Sequence, residues 1–123
     1  MNIQRLYPLY LVLVLPATLA ADDFGSYKQA IASYWIYGGG LGDPITPTSK
    51  DKKIAFSIEG DAAKQIFEAI GPDKKDACSE GGDTRFRSRD NENLICTRSK
   101  ENTYTCSFGF DLDSGKSIGG SIC

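Results

Sequence analysis

Histidine is absent from this chain of 123 residues. That removes the side chain that shuttles protons near neutral pH, and every Ser–His or Cys–His nucleophile with it. Zinc sites built from Cys and His go the same way. No apolar run is long enough for a comfortable membrane span: the longest, Leu6 to Leu15, is short and broken by Pro8. Basic residues are not in excess, with 14 Lys and Arg against 16 Asp and Glu and a formal net charge of −2. That balance gives no electrostatic reason to expect nucleic acid or an anionic membrane as partner. The Gly-rich phosphate loop is missing as well; Asp113-Ser114-Gly115-Lys116 reads as a hairpin turn.

What is present begins with a leader. Arg5 supplies a positive start, Leu6 to Leu15 an apolar stretch, and Pro16 precedes the small-residue ending Ala17-Thr18-Leu19-Ala20. This order predicts a secretory signal peptide over residues 1–20, cut before Ala21. The remainder is about a hundred residues, one small domain. Four cysteines in an exported chain predict two disulfides and a periplasmic or secreted location.

The strongest pattern lies between Thr84 and Cys123. Phe86, Ser88, Leu94, Cys96, Tyr104, Cys106, Phe108, Phe110, Leu112, Ile118 and Ile122 occupy even positions, with Arg85, Arg87, Arg89, Thr97, Thr105, Ser107 and Asp111 between them. Period-two alternation predicts strands with one buried and one wet face; Ile95 interrupts it. Keeping the even positions inside requires hairpin loops of odd length. Asn91-Glu92-Asn93, Lys100-Glu101-Asn102 and Asp113-Ser114-Gly115 meet that demand, each ending in a residue that tolerates positive φ. The resulting register sets Cys96 opposite Cys106 and Phe110 opposite Ile118. It favours disulfides Cys96–Cys106 and Cys78–Cys123, with Cys78–Cys96 and Cys106–Cys123 as the next pairing.

Upstream, Ile54, Phe56 and Ile58 alternate as a strand, and Gly60 turns the chain. Asp61 is the expected N-cap of a helix whose apolar stripe is Ala62, Ala63, Ile66, Phe67 and Ile70, stopped by Gly71-Pro72. The expected fold is therefore α+β: strand and helix, then a four-strand antiparallel meander, disulfide-stabilised, occupying residues 54–123. The helix would lie on the even face, with Ile66, Phe67 and Ile70 against Phe108, Phe110 and Leu94. Residues 21–53 form an aromatic arm and linker. In it Phe24, Tyr27, Ile31, Tyr34 and Trp35 have helical spacing, ended by Gly38-Gly39-Gly40. The arm either docks to complete the core or stays open to a partner.

Few residues are placed for chemistry. Asp111 with Asp113, and Glu59 with Asp61, have spacings common at strand ends and caps. Lys116 beside Ser114 and Ser117 sits in a turn with nothing to desolvate its amine. Asp111 to Gly115 resembles the start of a calcium loop but meets Ile122 where the twelfth-position Glu belongs. No catalysis, cofactor or metal is expected. Arg85, Arg87, Arg89 and Arg98 are the main exposed feature expected, on the face away from the helix, where arginine suits carboxylate and phosphate.

A small exported, disulfide-bonded sheet with one helix and no catalytic apparatus is similar in character to bacterial periplasmic inhibitors. These include lysozyme inhibitors and immunity proteins against cell-wall hydrolases. Several lysozyme-inhibitor families carry a Ser-Gly-x-x-Tyr loop; here Ser114-Gly115 matches its start and Ile118 stands in place of the Tyr. The class implies a protein partner, an envelope hydrolase or toxin, met through hairpin loops such as Asp113, Ser114, Gly115 and Lys116, with the row Arg85, Arg87, Arg89 and Arg98 as a further contact. An anionic glycan met by the arginines, or a role as accessory subunit, is the alternative.

Overall fold

The computed structural model describes residues 3–4, 7–16, 24–75 and 82–122. The leader's cleavage point and the Cys78–Cys123 disulfide lie outside the described residues. The alternative pairing, Cys78–Cys96 with Cys106–Cys123, is overturned, because Cys96 and Cys106 are bonded to each other. Among the described residues, no helix is long and apolar enough to cross a membrane.

Over the described residues the chain folds as a mostly antiparallel sheet with one helix, in the order β1 (Ile31–Gly40), β2 (Asp43–Ile45), β3 (Lys53–Glu59), α1 (Gly60–Ala69), β4 (Arg85–Arg89), β5 (Leu94–Arg98), β6 (Tyr104–Asp111) and β7 (Ser117–Ile118). The sheet has seven strands rather than a four-strand meander, in the order β2-β1-β3-β6-β5-β4. β7 pairs with β6 at Gly109 and Phe110. The α+β class stands, and β3 and α1 fall where the periodicity places them.

The aromatic arm differs from expectation. Residues 31–40 form a strand that pairs with β3, from Ile31↔Glu59 to Tyr37↔Lys53. Tyr27, Ile31 and Tyr34 have helical spacing, but Tyr37 must reach the opposite face from Tyr34 and Ile36, where it is 2 % exposed. Gly38 and Gly39 then let the chain double back as β2, since a Cβ on Gly38 would meet the Thr46 carbonyl at 3.0 Å.

The faces are set by the loops. Cys96 pairs with Cys106 as expected and the two form a disulfide. The β5–β6 turn is also as expected: Ser99 N–H donates to Thr103 O, Asn102 N–H to Ser99 O, and Asn102 has φ 60°. The other two hairpins have loops one residue longer. Between Arg89 and Leu94, Asp90, Asn91 and Glu92 all adopt positive φ, so Arg87 lies opposite Cys96. Phe86 and Ser88 thereby move to the far face, where each is 1 % exposed. Likewise Phe110 faces Ser117, and Ile118 faces Gly109 rather than Phe110.

α1 packs Ala63 and Phe67 onto Cys96 and Cys106, with Ile58, Ile66, Ile70 and Tyr104 around them. Burying these apolar groups is the main favourable contribution of this layer. Its N-cap is Glu59, with no side-chain cap, and Asp61 lies inside the first turn. The helix covers only part of its face. Phe56 stacks on Phe108 at 5.2 Å and Phe108 meets Phe110 at 6.1 Å, but Phe110 remains 38 % exposed. The expected contact of the helix with Phe108 and Phe110 is thus replaced by one two residues along β6. On the far face the 119–121 segment runs against β6. Ser107 and Ser121 hydroxyls bond at 2.9 Å, and a Cβ on Gly120 would sit 2.3 Å from Phe108 O.

Candidate functional site

The row of arginines does not lie away from the helix. Because Arg87 pairs with Cys96, all three β4 arginines stand on the helix face, around the end of α1. That helix has no basic residue in its last turn, and its final carbonyls carry a partial negative charge. β4 supplies the missing cations. Arg87 Nη1 donates to Phe67 O at 2.7 Å, and Arg89 Nη2 donates to Gly71 O. The Arg87 guanidinium lies 4.2 Å from the Phe67 ring centroid and Arg85's lies 5.4 Å from it.

Asp73, just past the helix, answers two of these charges. It accepts from Arg85 Nε and Arg87 Nε, both at 2.7 Å. Those bonds hold its carboxyl at about 2, well below the usual carboxylate value. Arg98 is held by Asn102, whose Oδ1 accepts from Nε at 2.9 Å, and lies 5.8 Å from the Tyr104 ring. Arg87 is more deeply held than Arg85, their side chains being 15 % and 41 % exposed.

The β6–β7 loop is the opposite case: residues 112–117 are exposed, yet its backbone is fixed from within. Asp111 Oδ1 accepts from the Asp113 amide at 2.9 Å and the Ser114 amide at 3.3 Å. Asp111 O accepts from Gly115 N–H at 2.7 Å, and Asp111 N–H donates to Lys116 O at 2.9 Å. Ser114 Oγ accepts from Lys116 N–H at 3.2 Å. Gly115 sits at φ 76°, a conformation that L side chains rarely adopt. The neighbouring segment anchors the loop sideways, since Leu112 N–H donates to Lys52 O at 2.8 Å. That segment is itself tied down: Asp51 bonds Lys53 and accepts from Gly39 N–H at 2.9 Å. The bond between Asp51 and Lys53 raises the Lys53 amine and, with that from Gly39, lowers the Asp51 carboxyl.

Arg85 and Arg98 are not brought to the 113–116 turn, whereas Asn93, in the loop after Arg89, donates to Ser117 O at 3.3 Å. Arg85 and Arg98 lie beside Tyr104, at the start of β6, and the loop follows Asp111 at its end. At ~3.3 Å per residue these points are roughly 23 Å apart along the strand.

Two surfaces escaped the sequence pattern. One is a shallow groove of about 540 Å³ at the start of α1, lined by Ile31, Glu59, Gly60, Lys64, Arg98 and Tyr104. The other is the open aromatic half of the helix face, with Tyr34 69 % exposed. The alternation of Phe56, Phe108 and Phe110 marked that half, but reads as core. Among the described residues, no group of three His, Cys, Asp or Glu could hold a metal ion. No family model, curated protein or solved structure matches the chain.

Proposed function

We propose that this chain is an exported protein that acts by binding rather than by catalysis. Its partner is a cell-envelope enzyme of the lysozyme or peptidoglycan-hydrolase kind, which it inhibits or neutralises. Export rests on the leader ending at Ala20, and the disulfide supplies rigidity suited to an oxidising compartment. The observation that carries the proposal is the Asp111–Lys116 loop, exposed from residue 112 onward and held by its own backbone and by the Asp111 carboxylate. A loop already in its bound shape loses little entropy on entering a cleft. Asp113, Ser114, Gly115 and Lys116 are the contact residues proposed. The arginines are poorer candidates for an anionic glycan, because Asp73 and the Phe67 and Gly71 carbonyls already engage three of them.

The test is binding and inhibition against a panel of purified envelope hydrolases, with Asp111→Ala as the loosened-loop variant. The expected result is inhibition by the native chain, weakened about tenfold or more in the variant, with the disulfide intact. Absence of binding to every hydrolase would sink the proposal. Binding that fades with salt and is lost in an Arg85/Arg89 double alanine variant would transfer the site to the arginines.

A further inference from the structure

We propose that the groove at the start of α1 binds a short peptide by its free ammonium and carboxylate ends. The groove's volume of about 540 Å³ falls within the range of small-ligand sites. Charged side chains of both signs line it: Glu59 at the end of β3, Asp61 in the first turn of α1, Lys64 further along that helix, and Arg98 at the end of β5. Among the described residues, none of these is in an ion pair, with another of them or elsewhere. Both signs of charge thus stand unanswered in one groove.

The cationic part is set in advance. Asn102 Oδ1 accepts from Arg98 Nε at 2.9 Å and from its Nη2, which fixes the guanidinium without neutralising it. Arg85 and Arg87, by contrast, share the Asp73 carboxylate. The Arg98 guanidinium and Lys64 Nζ lie 5.8 Å and 6.0 Å from the centroid of one ring, that of Tyr104. Phe67 meets that ring edge-on at 5.4 Å, so the groove has a firm apolar wall beside its cations.

The ligand follows from that lining. A simple anion would meet Glu59 and Asp61, and a simple cation Lys64 and Arg98, each a like-charge contact. An apolar ligand would strip water from all these charges and answer none of them. A molecule charged oppositely at its two ends answers both pairs at once, through charge-assisted hydrogen bonds. Its length is set by the sheet. Glu59 pairs with Thr105 and Arg98 with Tyr104, so β6 lies between their two strands. At ~4.8 Å per strand step, their backbones stand about 10 Å apart, the span of about three extended residues. Side chains reaching inward shorten that gap, so a peptide of about two or three residues fits. The β6–β7 loop lies at the other end of β6 and stays open when the groove is filled.

Amide resonance shifts of the isotope-labelled chain, disulfide intact, titrated with trialanine, test this. Saturable shifts are expected at Gly60, Asn102 and Thr103. Trialanine acetylated at its amino end, or amidated at its carboxyl end, is expected to bind at least about tenfold more weakly. Lys64→Gln should weaken binding of free trialanine but not of the amidated form, and Glu59→Gln should weaken the free but not the acetylated form. The comparison of free with blocked peptides uses the native chain, so it decides the matter even where a variant does not fold. No saturable shift at the groove overturns the proposal, as do blocked peptides that bind as well as the free one. Acetate that reproduces the same shifts with the same affinity would make the groove a carboxylate site only, and overturns the two-ended ligand.

Discussion

At one end of the sheet, Arg85 and Arg87 turn their guanidinium groups onto the end of the helix and Asp73, and Arg89 turns onto the Gly71 carbonyl just past it. At the other end, Tyr34 on β1 shares the helix face and remains 69 % exposed. In sequence the polar strand looks like the surface and the aromatic one like core. The fold reverses both. A short helix can cover only part of one face of a seven-stranded sheet, at ~1.5 Å per residue. Where it sits, cations are drawn inward to its carbonyl end; where it does not, aromatic side chains remain outside.

The sharpest way to break this contrast is to remove the ring on which it turns. Phe67 is 2 % exposed and lies between the helix, the disulfide and two guanidinium groups. Phe67→Ala is expected to cost about 3–5 kcal/mol in urea unfolding, with release of the β4 arginines. Next comes the disulfide beneath it. Replacing Cys96 and Cys106 together by alanine opens a loop with a sequence separation of 10. The expected loss is about 2–3 kcal/mol in the same assay.

The smallest effect sharpens the comparison through pH. In the folded chain Asp73 titrates at about 2, below its ordinary 3.8. A group whose value is depressed on folding contributes stability above its unfolded value and loses it as pH falls through the folded one. Stability should therefore decline between about pH 4 and pH 2. Asp73 is 43 % exposed, so solvent screening limits its contribution to about 1 kcal/mol or less. Asp73→Asn should remove that part of the acid dependence, as urea titrations at several pH values would record.

Much of the fold was legible from residue order. The apolar stripe of α1, the alternation of β3 and the Cys96–Cys106 pair follow from local periodicity and one odd-length turn. The facing of β4 was not, because it depends on a single extra residue in the 90–93 loop. Three successive positive φ values at Asp90, Asn91 and Glu92 make that loop, and nothing in the glutamate side chain foretells its part. β1 was missed for another reason: apolar residues at 27, 31 and 34 satisfy a helical period, and only pairing with β3 decides for a strand. Of the candidate site residues, Asp113 to Lys116 lie on the exposed turn expected of them, displaced by one residue in register. The role of Arg87 needed the third dimension, since its partners Phe67 and Asp73 are 20 and 14 positions away.

The most direct measurement compares Arg87→Ala with Tyr34→Ala in one urea-unfolding series. Arg87→Ala removes a bond to a helix carbonyl, an ion pair and a ring contact, and should lose about 1–3 kcal/mol. Tyr34→Ala should change stability by less than about 0.5 kcal/mol, as an exposed site does. Loss at Tyr34 with none at Arg87 would contradict the account: the arginines would then be surface and the aromatic edge part of the core.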